Sequence, residues 1–198
     1  GGGARFDAGI LCYSPQIWCS DDTDPIHRLN IQYGTSFGYP ASCVGSHVSI
    51  CPNEQNGRVT PLATRGITAM SGTFGYELDI TKLTDEEKEL VKVQCESYHK
   101  YYNVIHNGEM FRLISPFERK KDSAAWMYVT EDKSEAVVFY GVIRTTLYMP
   151  HVIRMRGLDL NTYFKYTGLD LDKLREQMRP QAVNQVKGRL ILEKIAAL

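Results

Sequence analysis

Short apolar runs alternate with helical segments from Gly9 to about His106, and the alternation stops at Asn107-Gly108. Three strand–helix units can be read from it. The first predicts a strand over residues 16–19, an acidic turn, and a helix that Asp24 caps and Pro25 opens. Ile26, Leu29 and Tyr33 make its apolar face, and Gly34 is expected to end it. The second predicts a strand over 46–50, a polar loop through 52–57 and a helix over 62–71. That loop is long for a simple connection, a frequent sign of function. The third predicts a strand over 76–80 and a helix opened by Thr84 with Glu87 three residues on, a capping box. Leu90, Val91, Gln94, Cys95, Tyr98, Tyr102 and Ile105 fall on one side of it. Successive βα units of this kind suit a barrel or an open parallel sheet.

Beyond Gly108 the pattern predicts strands without intervening helices, over 110–114, 125–130, 136–143 and 151–155. The polar turn at 131–134 joins two of them as a hairpin. This half reads as an antiparallel sheet or sandwich. From about Leu169 the spacing turns loosely helical around Pro180, with Leu171, Leu174, Met178, Val183, Val186, Leu190 and Ile195 as its apolar positions. The expected divisions are therefore 1–107, 108–168 and 169–198.

Charge narrows the function classes. Lys plus Arg and Asp plus Glu are 23 each, with no like-charged block to bind nucleic acid or a membrane surface. No apolar stretch reaches the roughly 20 residues of a membrane span, and no export signal opens the chain. It begins on Gly1-Gly2-Gly3 rather than Met, which reads as a cut inside a longer protein. Cys12, Cys19, Cys43, Cys51 and Cys95 are odd in number and irregular in spacing, which favours free thiols in a reducing cytoplasm. A zinc site with His27 or His47 lacks the usual ligand spacing, so no metal is expected.

The densest polar cluster is Ser20-Asp21-Asp22-Thr23-Asp24, after a strand and before a capped helix. In a parallel α/β fold this is where active sites are built. Asp24 serves as the N-cap and Asp22 or Thr23 supports the turn, which leaves Asp21 without a structural task. A solvated acidic turn is the competing reading. Trp18 is either an aromatic pocket wall or a buried strand residue. His47 either bonds near the site or is a satisfied core histidine.

The runs Gly1-Gly2-Gly3-Ala4-Arg5-Phe6-Asp7 and Tyr13-Ser14-Pro15-Gln16-Ile17-Trp18-Cys19-Ser20-Asp21-Asp22-Thr23-Asp24 resemble glycoside hydrolase family 36 α-galactosidases. Arg28 to Ser36, Gly45 to Ser49, Thr64-Arg65-Gly66, Gly72 to Asp79 and Phe111 to Glu118 follow the family in the same order, so the resemblance reaches roughly Tyr163. It implies an α/β plus β fold: the last three βα units of a (β/α)8 barrel, strands six to eight, then a C-terminal antiparallel β domain. It also implies retaining hydrolysis of terminal α-galactose from raffinose-type oligosaccharides or galactomannans, without a cofactor. Asp21 matches the family's acid/base and Gly2 a glycine loop that lets the sugar approach closely; for such a substrate Trp18 would be a pocket wall that covers apolar sugar C–H groups.

Two departures stand out. The family's nucleophile lies in a Lys-Trp-Asp motif that these 198 residues lack, so an inactive catalytic piece is expected, unstable alone and with the full parent as a possible homo-oligomer. A sugar-binding or assembly remnant, or a galactosyl transferase, are the other readings. The helical tail replaces strands that the family would continue, as a truncated or misjoined end would.

Overall fold

The computed structural model describes residues 8–118, 122–145, 152–159 and 176. The chain divides into two compact units, Gly1–Gly157 and Leu158–Leu198, and every element named below lies in the first. The elements run β1 (Ile17–Trp18), α1 (Pro25–Thr35), β2 (Val44–Ser49), α2 (Leu62–Ala69), β3 (Thr73–Glu77), α3 (Asp85–Asn107), β4 (Glu109–Ile114), β5 (Ser123–Val129) and β6 (Ala136–Val142).

The three strand–helix units are present with shifted edges. Asp24 starts α1 by accepting from the amides of Ile26 and His27 at 3.0 and 2.9 Å, and Pro25 takes the first turn, where a missing N–H does no harm. Gly34 does not end this helix. The chain stays helical to Thr35 with Ser36 still right-handed. A Cβ at Gly34 would sit 3.4 Å from the Phe117 ring, an ordinary contact distance. Thr84 and Glu87 form the expected capping box at the head of α3.

Strands β1, β2 and β3 pair in parallel in that order. One face of this sheet is apolar: Val48 packs with Leu62 and Ala69 of α2, and Phe74, Tyr76, Leu90 and Val91 close around them. The opposite face carries Trp18, His47 and Glu77, as the two-residue period of a strand dictates. The third strand lies three residues before its expected place. β2 pairs Gly45 through Ser49 with Thr73 through Glu77, and Asp79 then turns the chain by accepting from Thr81 N at 3.0 Å. Gly75 leaves room for the His47 ring inside the strand: a Cβ there would come within 2.9 Å of it and would have to displace it.

Strands β4, β5 and β6 form an antiparallel meander with β5 in the middle, and all of Ser123–Val129 is buried. The β5–β6 hairpin turns where expected. Lys133 takes φ 60, and Asp132 accepts from Ser134 N at 3.1 Å. Among the described residues, 152–155 join no ladder; the chain instead lies beside β5, with the Arg156 amide 3.3 Å from Met127 Sδ. The main core lies between the helices and this meander, where Leu29, Tyr33, Tyr98, Val104 and Ile105 meet Ala124, Trp126, Tyr128 and Phe139. The expected tail helix falls outside the described residues apart from Glu176.

Candidate active site

All three parallel strands point their carboxyl ends the same way, and the segments that leave those ends enclose a cavity of about 410 Å³. The first strand end contributes Trp18, Asp21 and Thr23, the second Ser49, Ile50, Glu54 and Gln55, and the third Glu77, Leu78 and Asp79. Sites of parallel α/β proteins are built at such ends because loops can vary there without disturbing the sheet.

Within this cavity the acidic turn separates into structural and free carboxylates. Asp24 is fully buried. Besides capping α1 it meets Arg58 Nη1 at 2.9 Å, and its Oδ2 has no partner among the described residues. Asp22 accepts from its neighbour Asp24 N at 3.1 Å and pairs with His27 Nδ1 at 2.8 Å. Asp79 is occupied by Thr81, whose amide and hydroxyl bonds hold its pKa below the ordinary carboxylate value. The exposed Asp21 carboxylate takes no hydrogen bond among the described residues.

The backbone beneath Asp21 is held on several sides. Arg28, 3% exposed, donates from Nη2 to Ser20 O at 2.7 Å and from Nε to Asp22 O at 2.6 Å. Its Nη1 reaches Cys19 Sγ at 2.8 Å, and its plane lies over Trp18 at 5.0 Å. Burial pulls the Arg28 pKa down, opposed by nearby Cys19 and Asp22. Burial likewise raises the Cys19 thiol, with Arg28 opposing.

The long loop after β2 holds the same turn from the other side. Gln55 Nε2 donates to Asp21 O at 2.6 Å, and Asn53 Nδ2 to Thr23 Oγ1 at 3.1 Å. Asn53 in turn accepts from the amides of Gln55 and Asn56. The buried Arg65 anchors the loop's two feet, donating to Ser49 O at 2.6 Å and Thr60 O at 3.1 Å.

Trp18 and Asp21 are therefore brought to one cavity. His47 lies behind Trp18, ring centroids 4.8 Å apart, and burial lowers its pKa against the pull of Glu77. Gly2 lies outside the described residues. Arg28, Gln55 and Glu77 were not among the expected site residues, although Arg28 and Glu77 lie in segments that follow the family and Gln55 in the long polar loop. Arg28 occupies a position that helical spacing marks only as next to Leu29, and Glu77 was placed inside an expected strand rather than at its end. Among the described residues no group of three or more His, Cys, Asp or Glu is arranged to hold a metal ion.

Comparison with known proteins adds family evidence. The melibiase family model matches residues 1–108, and a model of the bacterial trigger factor C-terminus matches residues 149–198. The α-galactosidase AgaA of Geobacillus stearothermophilus is 51% identical over 170 residues, covering 85% of this chain and 23% of that protein. The bifunctional α-galactosidase/sucrose kinase AgaSK of Mediterraneibacter gnavus is 53% identical over 165 residues, covering 80% and 17%. The crystal structure of AgaA, a family 36 enzyme, superposes with a TM-score of 0.76 at 52% identity, covering 81% of this chain and 22% of that one. Variants of AgaA have been solved in complex with raffinose and with stachyose. The chain spans less than a quarter of the length of these relatives.

Proposed function

Because the chain belongs to the melibiase family, we propose that it carries the proton-donor half of an α-galactosidase site, with Asp21 as the general acid and base. One observation carries the reading. At the strand-end cavity the carbonyls of Ser20, Asp21 and Asp22 are all bonded, and among the described residues Asp21 alone of the turn's carboxylates is left free toward the cavity. A group with no structural bond is available to exchange a proton with substrate.

In this reading β1, β2 and β3 are strands six to eight of a (β/α)8 barrel spanning 1–107, and 108–168 is the C-terminal β domain. The tail 169–198 stands apart from it; the trigger factor model matches that tail together with residues 149–168. Retention needs a second carboxylate about 5–5.5 Å from the first, which a preceding segment of the parent would supply. In the first step Asp21 gives its proton to the glycosidic oxygen as that nucleophile takes the anomeric carbon. In the second it accepts a proton from the water that releases galactose. Two carboxylates suffice, and no cofactor or metal enters.

The substrate is an α-galactoside oligosaccharide, since variants of AgaA are seen with raffinose and stachyose. Trp18 offers an aromatic wall to the sugar's C–H face, and Gly2 a close backbone contact. The odd number and irregular spacing of the cysteines are the ground for proposing a cytoplasmic setting, and the parent is a candidate homo-oligomer. A sugar-binding remnant is the second reading, favoured by the missing Lys-Trp-Asp sequence.

The purified chain should release no p-nitrophenol from p-nitrophenyl α-galactoside. Joined in frame behind the part of AgaA that precedes the matched segment, it should do so, with Asp21→Asn reducing turnover of raffinose by about 10²–10⁴-fold. Turnover by the chain alone would mean that a nucleophile lies within it. A joined protein that folds and binds raffinose without cleaving it would favour the remnant.

A further inference from the structure

A general acid works only when its proton lies within hydrogen-bond reach of the leaving oxygen, so its aim matters as much as its acidity. Among the described residues the Asp21 side chain has no hydrogen bond of its own to aim it. Its direction is set by the backbone, and the two carbonyls that flank Asp21 are taken by one guanidinium: Ser20 O at 2.7 Å and Asp22 O at 2.6 Å, both from Arg28.

We infer that Arg28 is the positioning residue of the Asp21 carboxylate, an inference that rests on the acid/base reading above. Its planar fork donates to the carbonyls of Ser20 and Asp22, which fixes the peptide plane that enters the Asp21 Cα and the plane that leaves Asp22, and so holds the two ends of the short segment that carries Asp21. The fork is itself fixed. Its Nη1 meets Cys19 Sγ at 2.8 Å and Gly45 O at 3.4 Å, and it lies against Trp18. Arg28 thus ties the acid turn to the carboxyl end of β1, to β2 and to the cavity wall together. Gln55 holds the remaining carbonyl, that of Asp21 itself, at 2.6 Å from an exposed loop position. A lysine keeps the charge but is a single point donor and cannot span both carbonyls. Charge therefore separates from geometry in an Arg28→Lys variant.

The test uses the full chain joined behind the preceding part of AgaA and compares two substrates. Raffinose needs its leaving oxygen protonated, whereas 2,4-dinitrophenyl α-galactoside departs without help. Arg28→Lys should lower kcat/KM, which reports the first step, by about 10²-fold on raffinose, the scale of a displacement near 1 Å, and by no more than about threefold on the dinitrophenyl substrate. Equal losses of kcat/KM on both substrates would assign Arg28 to stability alone and overturn the inference.

Asp21→Asn in parallel separates the two claims. If Asp21→Asn lowers kcat/KM, which reports the first step, alike on both substrates, the acid/base reading fails. If it slows raffinose selectively and Arg28→Lys does not, only the Arg28 role fails. A second measurement needs no turnover. In the full chain alone, amide exchange at Asp22 and Asp24, whose N–H groups bond to Ser20 Oγ and Asp22 Oδ1, should quicken by about tenfold in Arg28→Lys while β5 amides keep their protection. Unchanged exchange at the turn overturns the inference. Should Arg28→Lys fail to fold, the exposed Gln55→Ala takes its place, and the absence of a raffinose-selective loss there would show that pinned carbonyls do not aim the acid.

Discussion

Asp21 and Asp24 are three residues apart in one turn, and burial separates their uses. Asp24 is wholly enclosed, caps α1 with two amide bonds and meets Arg58. Removing its carboxyl takes away both cap bonds and leaves Arg58, whose side chain is 38% exposed, to solvent. Asp24→Ala should lower the unfolding free energy by about 1–3 kcal/mol. Asp24→Asn, which still caps, should cost less, and urea unfolding of the two variants measures the difference. Asp21→Asn should leave stability within about 0.5 kcal/mol. The division between a capping and a free carboxylate was legible in the sequence, because an N-cap before Pro25 has a fixed chemistry. Arg28 was not, since a buried arginine on a helix is specified by carbonyls far along the chain, Gly45 O among them.

Histidines give the same scale a pH dependence. Burial lowers the pKa of His106, whose Nε2 lies 2.6 Å from Tyr98 Oη and whose ring stacks on Tyr102. It also lowers that of His47, with Glu77 and Arg28 acting in opposite directions. The unfolded chain then binds protons first as pH falls below about 6.5. Stability held by the neutral rings is complete above that value and is lost as pH drops through the lower folded pKa. Urea midpoints should fall between about pH 7 and pH 5, and His106→Gln should flatten part of that fall. A midpoint that rises on acidification would contradict the assignment.

Elements here are held by glycines and amide side chains as much as by apolar faces. Gly66 in α2 faces Gln94 of α3, and a Cβ at Gly66 would lie inside contact distance of the Gln94 amide. That amide cannot swing away freely. It is buried, donates to Leu62 O at 3.0 Å and accepts from Tyr76 Oη at 2.6 Å. Gly66→Ala gains up to about 1 kcal/mol of helix propensity against an overpacking penalty of about 1–3 kcal/mol. The net should be destabilising, and Gly66→Ala with Gln94→Ala should recover part of the loss, measured as a double-mutant cycle.

The same contacts explain what was misplaced in the sequence. Gly72 and Gly75 weaken the strand pattern over 73–77, so the apolar stretch after them looked like the strand. The register against β2 and the turn made by Asp79 decide otherwise. The helix caps and the hairpin at 131–134 were legible because each is a local bond.

At the scale of the whole molecule, a parallel sheet and an antiparallel meander share the helices between them, and the change of pairing falls at Gly108, where α3 ends against Val129. Alternation of strands with helices and then their absence was readable from periodicity alone. The packing of Leu29 and Tyr33 against Trp126 was not, since it joins positions about 100 residues apart in the chain and leaves no local trace.

The parallel sheet has only three strands among the described residues, so β1 and β3 each present one unpaired side. Its face opposite the helices bears Trp18, His47 and Glu77. Unpaired edges of this kind recruit further strands. The isolated chain should therefore self-associate with rising concentration in sedimentation experiments. The preceding barrel portion of AgaA, supplied in trans, should suppress that association by covering both edges while raising the unfolding midpoint. Self-association that persists unchanged in its presence would place the sticky surface elsewhere. The β6 edge is then the next to examine, where Val138, Tyr140 and Val142 are exposed.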